Sequence, residues 1–201
     1  MELPWVRRVI MVEYNIKRYI SAIIISFLAI FAITCVLNYF CLDGWLGLWD
    51  IISACITITS FVGILFVSHF WKLRIFQGWL VPFPNLNGKW EGKIKFSYDG
   101  KESSRKVEVQ IKQSFCNIIV KLNTRESKST TFCGSFNIDG NRDIKQLIYS
   151  YHNEPDPNVR GRSPLHYGTT LLEISKDNKT LTGEYWTNRN SRGSIALHKV
   201  D

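Results

Sequence analysis

The sequence predicts a membrane-anchored all-β protein, in which two N-terminal transmembrane helices precede a compact, eight-stranded, antiparallel, up-and-down β-barrel. Two long and almost uncharged apolar runs lie near the N-terminus, and short segments with alternating apolar residues follow from residue 88. Most turns between those segments are of hairpin length. We therefore expect a two-helix module over residues 1–77, a linker over 78–87 and a barrel domain over 88–201.

The two apolar runs cover residues 19–40, which carry no charge, and residues 46–70, which carry only Asp50. A transmembrane helix needs about 20 mostly apolar residues, so both runs are long enough. A secretory signal peptide is the competing interpretation of the first run, but its apolar core is too long and no small-residue cleavage pattern follows. Basic residues lie on the side of both termini, at positions 7, 8, 17, 18, 72 and 74. The positive-inside rule therefore places the N-terminus and the barrel in the cytoplasm.

Pro82 and Pro84 end any helical continuation after the second run. Eight alternating segments then cover residues 89–96, 105–112, 116–124, 130–138, 146–153, 167–174, 180–187 and 193–200. In the fourth segment the predicted inner face is Phe132, Gly134, Phe136 and Ile138. A two-sheet sandwich is the alternative, but a meander of hairpins favours a barrel. Eight strands enclose just enough space for side chains or one small ligand.

The first strand begins with Gly88-Lys89-Trp90. Lipocalin-like barrels use a Gly-x-Trp pattern at this position to plug their closed end. We therefore expect Trp90 to be a plug rather than a ligand contact.

The net charge is +8, and residues 85–201 hold 19 Lys and Arg against 13 Asp and Glu. Such a domain attracts phosphates, nucleotides or acidic lipids, although solubility alone explains the excess equally well. Five cysteines form no CxxC pair, which indicates free thiols in a reducing compartment and no metal site. No phosphate-binding glycine loop, HExxH or GxSxG motif occurs, so we expect no enzyme activity.

The turn after the seventh strand is unusually rich in polar donors. Tyr185 and Thr187 continue the inner face, and Arg189 and Arg192 follow at the rim. Two further arginines lie in the long loop of residues 154–164, and Tyr149 and Tyr151 point inward in the fifth strand. Arginines pair with phosphate oxygens and aromatic rings stack on bases. Filling of the core is the alternative role of the tyrosines.

The whole chain resembles the CBASS anti-phage effectors with two transmembrane helices and a cytosolic β-rich domain, the SMODS-associated (CD-NTase-associated) two-transmembrane β effectors. The resemblance lies in the two-span hairpin at 19–70, in NLNGKWEGKI at 85–94 and in LTGEYWTNRNSRGSIAL at 181–197. It implies a barrel that binds a cyclic oligonucleotide, most simply a cyclic dinucleotide, made by a partner nucleotidyltransferase. The ligand contacts that it implies are Tyr151, Arg160, Arg162, Tyr185, Thr187, Asn188, Arg189 and Arg192.

The same resemblance implies that ligand binding drives oligomerisation, disruption of the bacterial inner membrane and abortive infection, with no other cofactor and no nucleic acid polymer as partner. Two alternatives remain open at the level of the sequence. One is a membrane-anchored, lipocalin-like barrel for a small apolar ligand, and the other is a filled barrel that binds a protein partner. Arginines at the mouth distinguish them, because an apolar ligand has no use for such charges.

Overall fold

The computed structural model of the 201-residue chain describes residues 6–41, 45–98, 101–140, 142–161 and 163–200. The chain divides into two compact units, Met1–Val81 and Pro82–Asp201. The first unit contains the helices, and the second contains all eight strands.

The first unit contains a hairpin of two long helices, as predicted. These are α1 (Val6–Cys41) and α2 (Leu48–Ser68), which two short 3-10 helices follow, Phe70–Lys72 and Arg74–Phe76. The segments Lys17–Cys41 and Leu48–Ser68 are long and apolar enough to cross a membrane. The second helix ends at Ser68 rather than at residue 70, because the chain turns there into the first 3-10 helix.

A few polar contacts hold the two helices together. The side-chain amide of Asn38 donates to the Leu46 carbonyl at 3.2 Å and accepts from the Leu46 N–H at 3.0 Å. Ile51 and Cys55, one turn apart, are buried, and the Cys55 sulfur lies 3.8 Å from the Thr34 hydroxyl. Most other apolar side chains in residues 17–41 and in α2 are exposed, which is the arrangement expected of helices that lie in a lipid bilayer.

The second unit is a closed antiparallel barrel in which every strand pairs with its neighbours in the sequence and β8 pairs with β1. The strands are β1 (Gly88–Tyr98), β2 (Lys101–Gln113), β3 (Ile118–Asn123), β4 (Ser127–Asp139), β5 (Ile144–Pro155), β6 (His166–Ile174), β7 (Thr180–Thr187) and β8 (Arg192–Val200). The predicted eight-stranded, up-and-down barrel is thus confirmed.

Trp90 closes the end of the barrel at which β1 begins, as its Gly-x-Trp context predicted. The Trp90 side chain is fully buried, and its indole N–H donates to the Leu86 carbonyl at 3.0 Å. The Gln113 side chain accepts from the Leu86 N–H at 2.8 Å and donates to the Pro84 carbonyl at 3.0 Å. Gly88 joins this segment to β1 with a φ of 136°, a conformation that favours glycine.

The core consists of the alternate residues that the period of two predicts. The buried apolar side chains include Val107, Val109, Ile111, Ile118, Val120, Leu147, Leu172, Leu181, Ile195 and Leu197. This set lies toward the closed end and the middle of the strands. The polar inward-facing side chains lie toward the end opposite Trp90.

The predicted inner face of β4 is wrong at Phe132, whose side chain is 66% exposed. The pairing of β4 with β5 shifts between Thr131 and Cys133, which is a β-bulge. A bulge adds one residue to a strand and reverses which side chains point inward. Ser129 and Thr131 are therefore buried before it, while Phe136 packs against the core after it, as predicted.

The strand pairing of the barrel is incomplete between the first half of β2 and the β3–β4 turn. β3 pairs only with residues 108–113 of β2, so residues 101–107 have β1 as their one strand neighbour among the described pairings. An ion pair crosses this region, with Nη1 of Arg105 2.8 Å from Oε2 of Glu126. We call this region the side opening.

Candidate functional site

The end of the barrel opposite Trp90 is open and contains a pocket of about 240 Å³, which we call the mouth pocket. The connections β3–β4, β5–β6 and β7–β8 lie at this end. Its apolar lining is Ile94, Phe96, Val120, Leu122 and Ile195, and its polar inner lining is Ser129, Tyr149, Tyr151, Asn153, Thr170, Tyr185 and Thr187. The rim consists of Arg105, Thr124, Ser127, Ser163, His166, Arg189 and Ser191.

Arg189 joins two connections of the mouth, the long β5–β6 loop and the β7–β8 turn. Its Nη1 lies 3.3 Å from the Ser163 hydroxyl, 3.4 Å from the Pro164 carbonyl and 3.4 Å from Nδ1 of His166. The loop before β6 and the turn after β7 therefore face each other. Because these contacts are long and the guanidinium is exposed, the charge of Arg189 remains accessible to an anion.

The β7–β8 turn is held by its own polar side chains. The hydroxyls of Thr187 and Ser191 lie 2.7 Å apart, and the Thr187 N–H donates to the Ser191 carbonyl at 2.9 Å. Asn190 has a φ of 58°, which asparagine tolerates better than most residues. Asn188 extends the β6–β7 pairing, because its side-chain oxygen accepts from the Tyr167 N–H at 3.1 Å. The side chains of Thr187, Asn188 and Ser191 thus fix the turn that carries Arg189.

The structure does not bring all the arginines of the sequence prediction into the pocket. Arg192 pairs with Trp186 on the outer face of β7 and β8, since Tyr185 and Gly193 form the adjacent inward pair. Nε of Arg160 donates to the Pro155 carbonyl at 3.4 Å, outside the pocket lining. Asn188 is also outside the lining, and Arg162 lies outside the described residues. Ligand contact by these four residues stays a prediction.

Arg105 is the second arginine of the pocket, and the sequence prediction missed it. Its guanidinium lies 5.5 Å from the centre of the Phe96 ring and pairs with Glu126. A signal was present in the sequence, because Arg105 precedes Val107, Val109 and the rest of the inward face of β2 at the same spacing of two. The β2 and β7–β8 sides of the mouth therefore each carry one guanidinium.

Three tyrosines form the aromatic part of the pocket. Burial raises the pKa of Tyr149 to about 12, against a smaller lowering by the Thr170 hydroxyl. Burial also raises the pKa of Tyr151, and it raises that of Tyr185 against a lowering by the charge of Arg105. All three hydroxyls therefore stay protonated at neutral pH and can donate hydrogen bonds.

Two glycines make room for these rings. A Cβ atom at Gly168 would overlap the Tyr151 hydroxyl, and one at Gly193 would lie 2.8 Å from the Tyr185 ring. Gly168 is opposite Tyr151, and Gly193 is opposite Tyr185, on neighbouring strands. The positions of both tyrosines in the mouth pocket therefore depend on glycine across the strand.

The Tyr149 hydroxyl makes the barrel sensitive to alkaline pH. An unfolded chain releases this proton near pH 10, whereas the folded chain retains it to about pH 12. The free energy of unfolding should therefore fall by about 2–3 kcal/mol as the pH rises from 10 toward 12. Denaturant titrations at several pH values should show a smaller alkaline loss in Tyr149→Phe. An equal loss in both proteins would contradict the buried position of this hydroxyl.

A buried polar pair lies on the β4–β5 wall of the pocket. Ser129 and Asn153 are directly opposite each other, and the Ser129 hydroxyl donates to Oδ1 of Asn153 at 2.8 Å. Both residues are more than nine-tenths buried. Neither residue was predicted from the sequence. The bulge at Phe132 reverses the phase of β4 and hid Ser129, whereas a signal for Asn153 was present, because it follows Tyr149 and Tyr151 at a spacing of two.

Two histidines, His152 and His166, lie near the mouth. Burial lowers the pKa of His166, and the Arg189 charge lowers it further, against a hydrogen bond with the Pro164 carbonyl. The His152 ring lies against the Tyr167 ring, with 5.7 Å between ring centres and an angle of 36° between the ring planes. Within the described part of the chain, no group of three or more His, Cys, Asp or Glu residues could hold a metal ion.

This fold and site define a ligand-binding β-barrel with two apolar helices. Residues 81–199 match the family described as Cap15, cyclic dinucleotide receptor domain. A Staphylococcus schleiferi protein named CD-NTase-associated protein 15 is 28% identical over 177 residues, which cover 88% of this chain and 91% of its own length. A protein of the same name from Escherichia albertii is 28% identical over 159 residues, which cover 74% of this chain and 79% of its own length. The chain therefore belongs to the Cap15 family of cyclic dinucleotide receptors.

Proposed function

We propose that the mouth pocket binds a cyclic dinucleotide and that the chain is a membrane effector of CBASS anti-phage defence. The composition of the pocket is the observation that carries the first part. Two guanidinium groups, those of Arg105 and Arg189, lie at the rim, and the rings of Phe96, Tyr151 and Tyr185 line the space below them.

This composition suits the chemistry of a cyclic dinucleotide. The two phosphates carry a negative charge each, and a guanidinium group donates two parallel hydrogen bonds to phosphate oxygens. Aromatic faces stack on nucleobases irrespective of their sequence. The excess of basic residues in the barrel domain attracts such an anion from a distance. An apolar ligand would gain nothing from the charged rim.

The proposed contacts fall into two groups. Tyr151, Tyr185, Thr187 and Arg189 line the pocket, and Arg105 joins them. Asn188 would act by holding the β7–β8 turn. The charges of Arg160 and Arg192 would act over a longer distance.

Glu126 should oppose binding of a cyclic dinucleotide. Its carboxylate lies 2.8 Å from the Arg105 guanidinium and would compete with phosphate for that group. We expect Glu126→Gln to tighten binding of a cyclic dinucleotide by roughly fivefold at low salt, since one unfavourable charge near the ligand costs about 1 kcal/mol. The gain should shrink as salt is added. Isothermal titration of both proteins at two salt concentrations checks this, and an affinity that Glu126→Gln leaves unchanged at low salt would place the phosphates away from Arg105.

The effector part of the proposal concerns the two helices. A partner nucleotidyltransferase would make the messenger during phage infection, and binding would drive the chains to associate. The two-helix modules would then disrupt the bacterial inner membrane and stop growth. The charge bias at the helix ends supports a cytoplasmic N-terminus and barrel. In this proposal the chain binds its ligand and catalyses no reaction, and nucleic acid polymers are not partners.

Titration of the full-length chain in detergent micelles with cyclic dinucleotides tests the proposed function. At least one cyclic dinucleotide should bind, and a fatty acid should not. Binding of the fatty acid with no response to any cyclic dinucleotide would favour the lipocalin-like alternative. In liposomes that contain the full-length chain, the ligand that binds should release an entrapped dye, and liposomes without protein are the control.

A further inference from the structure

We propose that the mouth pocket receives only one nucleoside half of the cyclic dinucleotide, and that Asn153, oriented by Ser129, reads the base of that half. The other half then remains outside the barrel. This inference rests on the proposed function and adds to it a division of the ligand into a recognised and an unrecognised base.

The size of the pocket carries the first step. Pockets that enclose a drug-sized ligand measure about 300–1,000 Å³, whereas the mouth pocket measures about 240 Å³. A cyclic dinucleotide has two bases, two riboses and two phosphates, and is larger than a drug-sized molecule. The pocket therefore has room for a base and part of its ribose but not for the whole ring.

The side opening provides the route for the remainder. Arg105 and Thr124 line the mouth pocket and also the groove on the outer side of this opening. A ligand with one base inside therefore has its phosphates near Arg105 and Arg189, and its second base outside the barrel. Water surrounds that second base, so its identity has little influence on affinity.

The Asn153 amide carries the recognition step. Asn153 is only 5% exposed and lines the mouth pocket. Its oxygen accepts from Ser129, while its amide nitrogen has no hydrogen-bond partner among the residues that the structure describes. A donor that lines a pocket without a protein partner is available to a ligand, and every nucleobase has carbonyl or ring-nitrogen acceptors at its edge. A base in the pocket would satisfy this donor.

The surroundings of Asn153 suit a base in this position. Tyr151 lies two residues before Asn153 on the same inner face of β5, where Gly168 on the next strand leaves space for its ring. A base that presents its edge to Asn153 thus has an aromatic side chain next to it. Single-stranded nucleic acids are recognised by the same pairing of stacking with hydrogen bonds to a base edge.

The test uses the full-length chain in detergent and cyclic dinucleotides with two identical bases or one base of each kind. One base should be preferred, and ligands that lack it should bind roughly 5- to 100-fold more weakly. A mixed ligand with one preferred base should bind only about twofold more weakly than the symmetric one, because one of its two halves is competent instead of both.

Variants of Asn153 and Ser129 test whether Asn153 causes the preference for one base. Asn153→Leu keeps the approximate size and should reduce the spread of affinities across the panel to about threefold. Asn137→Leu is the matched control, since Asn137 likewise makes a side-chain hydrogen bond across β4 and β5, there as the donor to Gln146 at 2.9 Å, but at the closed end. It should retain the wild-type spread. If Asn153→Leu does not fold, Ser129→Ala should narrow the spread with Asn153 still present.

Each outcome decides the inference. A mixed ligand that binds as weakly as one without the preferred base would show that both bases are read, and equal affinities across the panel would show that neither is. Either result overturns the inference and leaves the proposed function intact. A spread that Asn153→Leu and Ser129→Ala leave unchanged would also overturn it. No binding by any cyclic dinucleotide would instead overturn the proposed function itself.

Discussion

Replacing Arg189 by alanine should weaken cyclic dinucleotide binding by roughly 10- to 100-fold, because hydrogen bonds to a charged partner contribute about 1.5–3 kcal/mol. The barrel should remain almost equally stable. Arg189 is exposed, and its contacts with Ser163, Pro164 and His166 are 3.3–3.4 Å long. Titration calorimetry gives the affinity, and thermal melting followed by circular dichroism gives the stability.

Arg142→Ala is the matched control, since Arg142 is an exposed arginine in the β4–β5 turn at the closed end, 3.6 Å from Asp139. It removes the same charge from the domain and should leave affinity within about twofold of wild type. Arg189→Lys, which keeps the charge without the planar fork, should fall between the two. If Arg189→Ala and Arg142→Ala lose the same affinity, Arg189 contributes only to the net charge of the domain and does not contact the ligand.

Replacing Trp90 by alanine should destabilise the barrel by about 3–5 kcal/mol, a large part of the 5–15 kcal/mol typical of a domain. The side chain is fully buried, and its loss leaves a cavity and an unpaired Leu86 carbonyl in the closed end. The melting temperature should fall by roughly 10–20 °C. Thermal melting of the full-length chain, followed through the β signal in circular dichroism, measures this change.

Trp186→Ala provides the comparison, because Trp186 lies in the same barrel but is 48% exposed on the outer face. It should change stability by less than about 1 kcal/mol. If both variants lose the same stability, Trp90 is not the plug that its position indicates. The folded fraction of Trp90→Ala should bind a cyclic dinucleotide with an affinity close to that of the wild type, since Trp90 lies outside the mouth pocket.

The fold could be predicted from the sequence because apolar and polar residues alternate regularly along its strands. Val107, Val109 and Ile111 recur at every second position and are all buried. The Gly-x-Trp pattern likewise identified the plug. A bulge leaves no comparable pattern, so the sequence placed Phe132 in the core although the added residue turns it outward. One irregular residue thus determined which polar groups of β4 enter the pocket.

The site could be predicted only in part from the sequence. Tyr151, Tyr185 and Thr187 were placed inward by alternation, and they line the pocket. Whether the β5–β6 loop meets the β7–β8 turn depends on contacts between residues about 25 positions apart, such as Arg189 with Pro164, which no local pattern encodes. Arg105 was overlooked because charged residues on a strand usually face solvent, whereas here the side opening lets one face the mouth.

Photo-cross-linking tests the central claim most directly. The full-length chain would be irradiated with a cyclic dinucleotide that carries a photoreactive group on one base, and mass spectrometry would locate the attached residues. We predict attachment to peptides of the mouth, within residues 94–96, 149–153 and 185–189, and its loss in Arg189→Ala. Attachment confined to the closed end around Trp90, or to α1 and α2, would contradict a cyclic dinucleotide site in the mouth pocket.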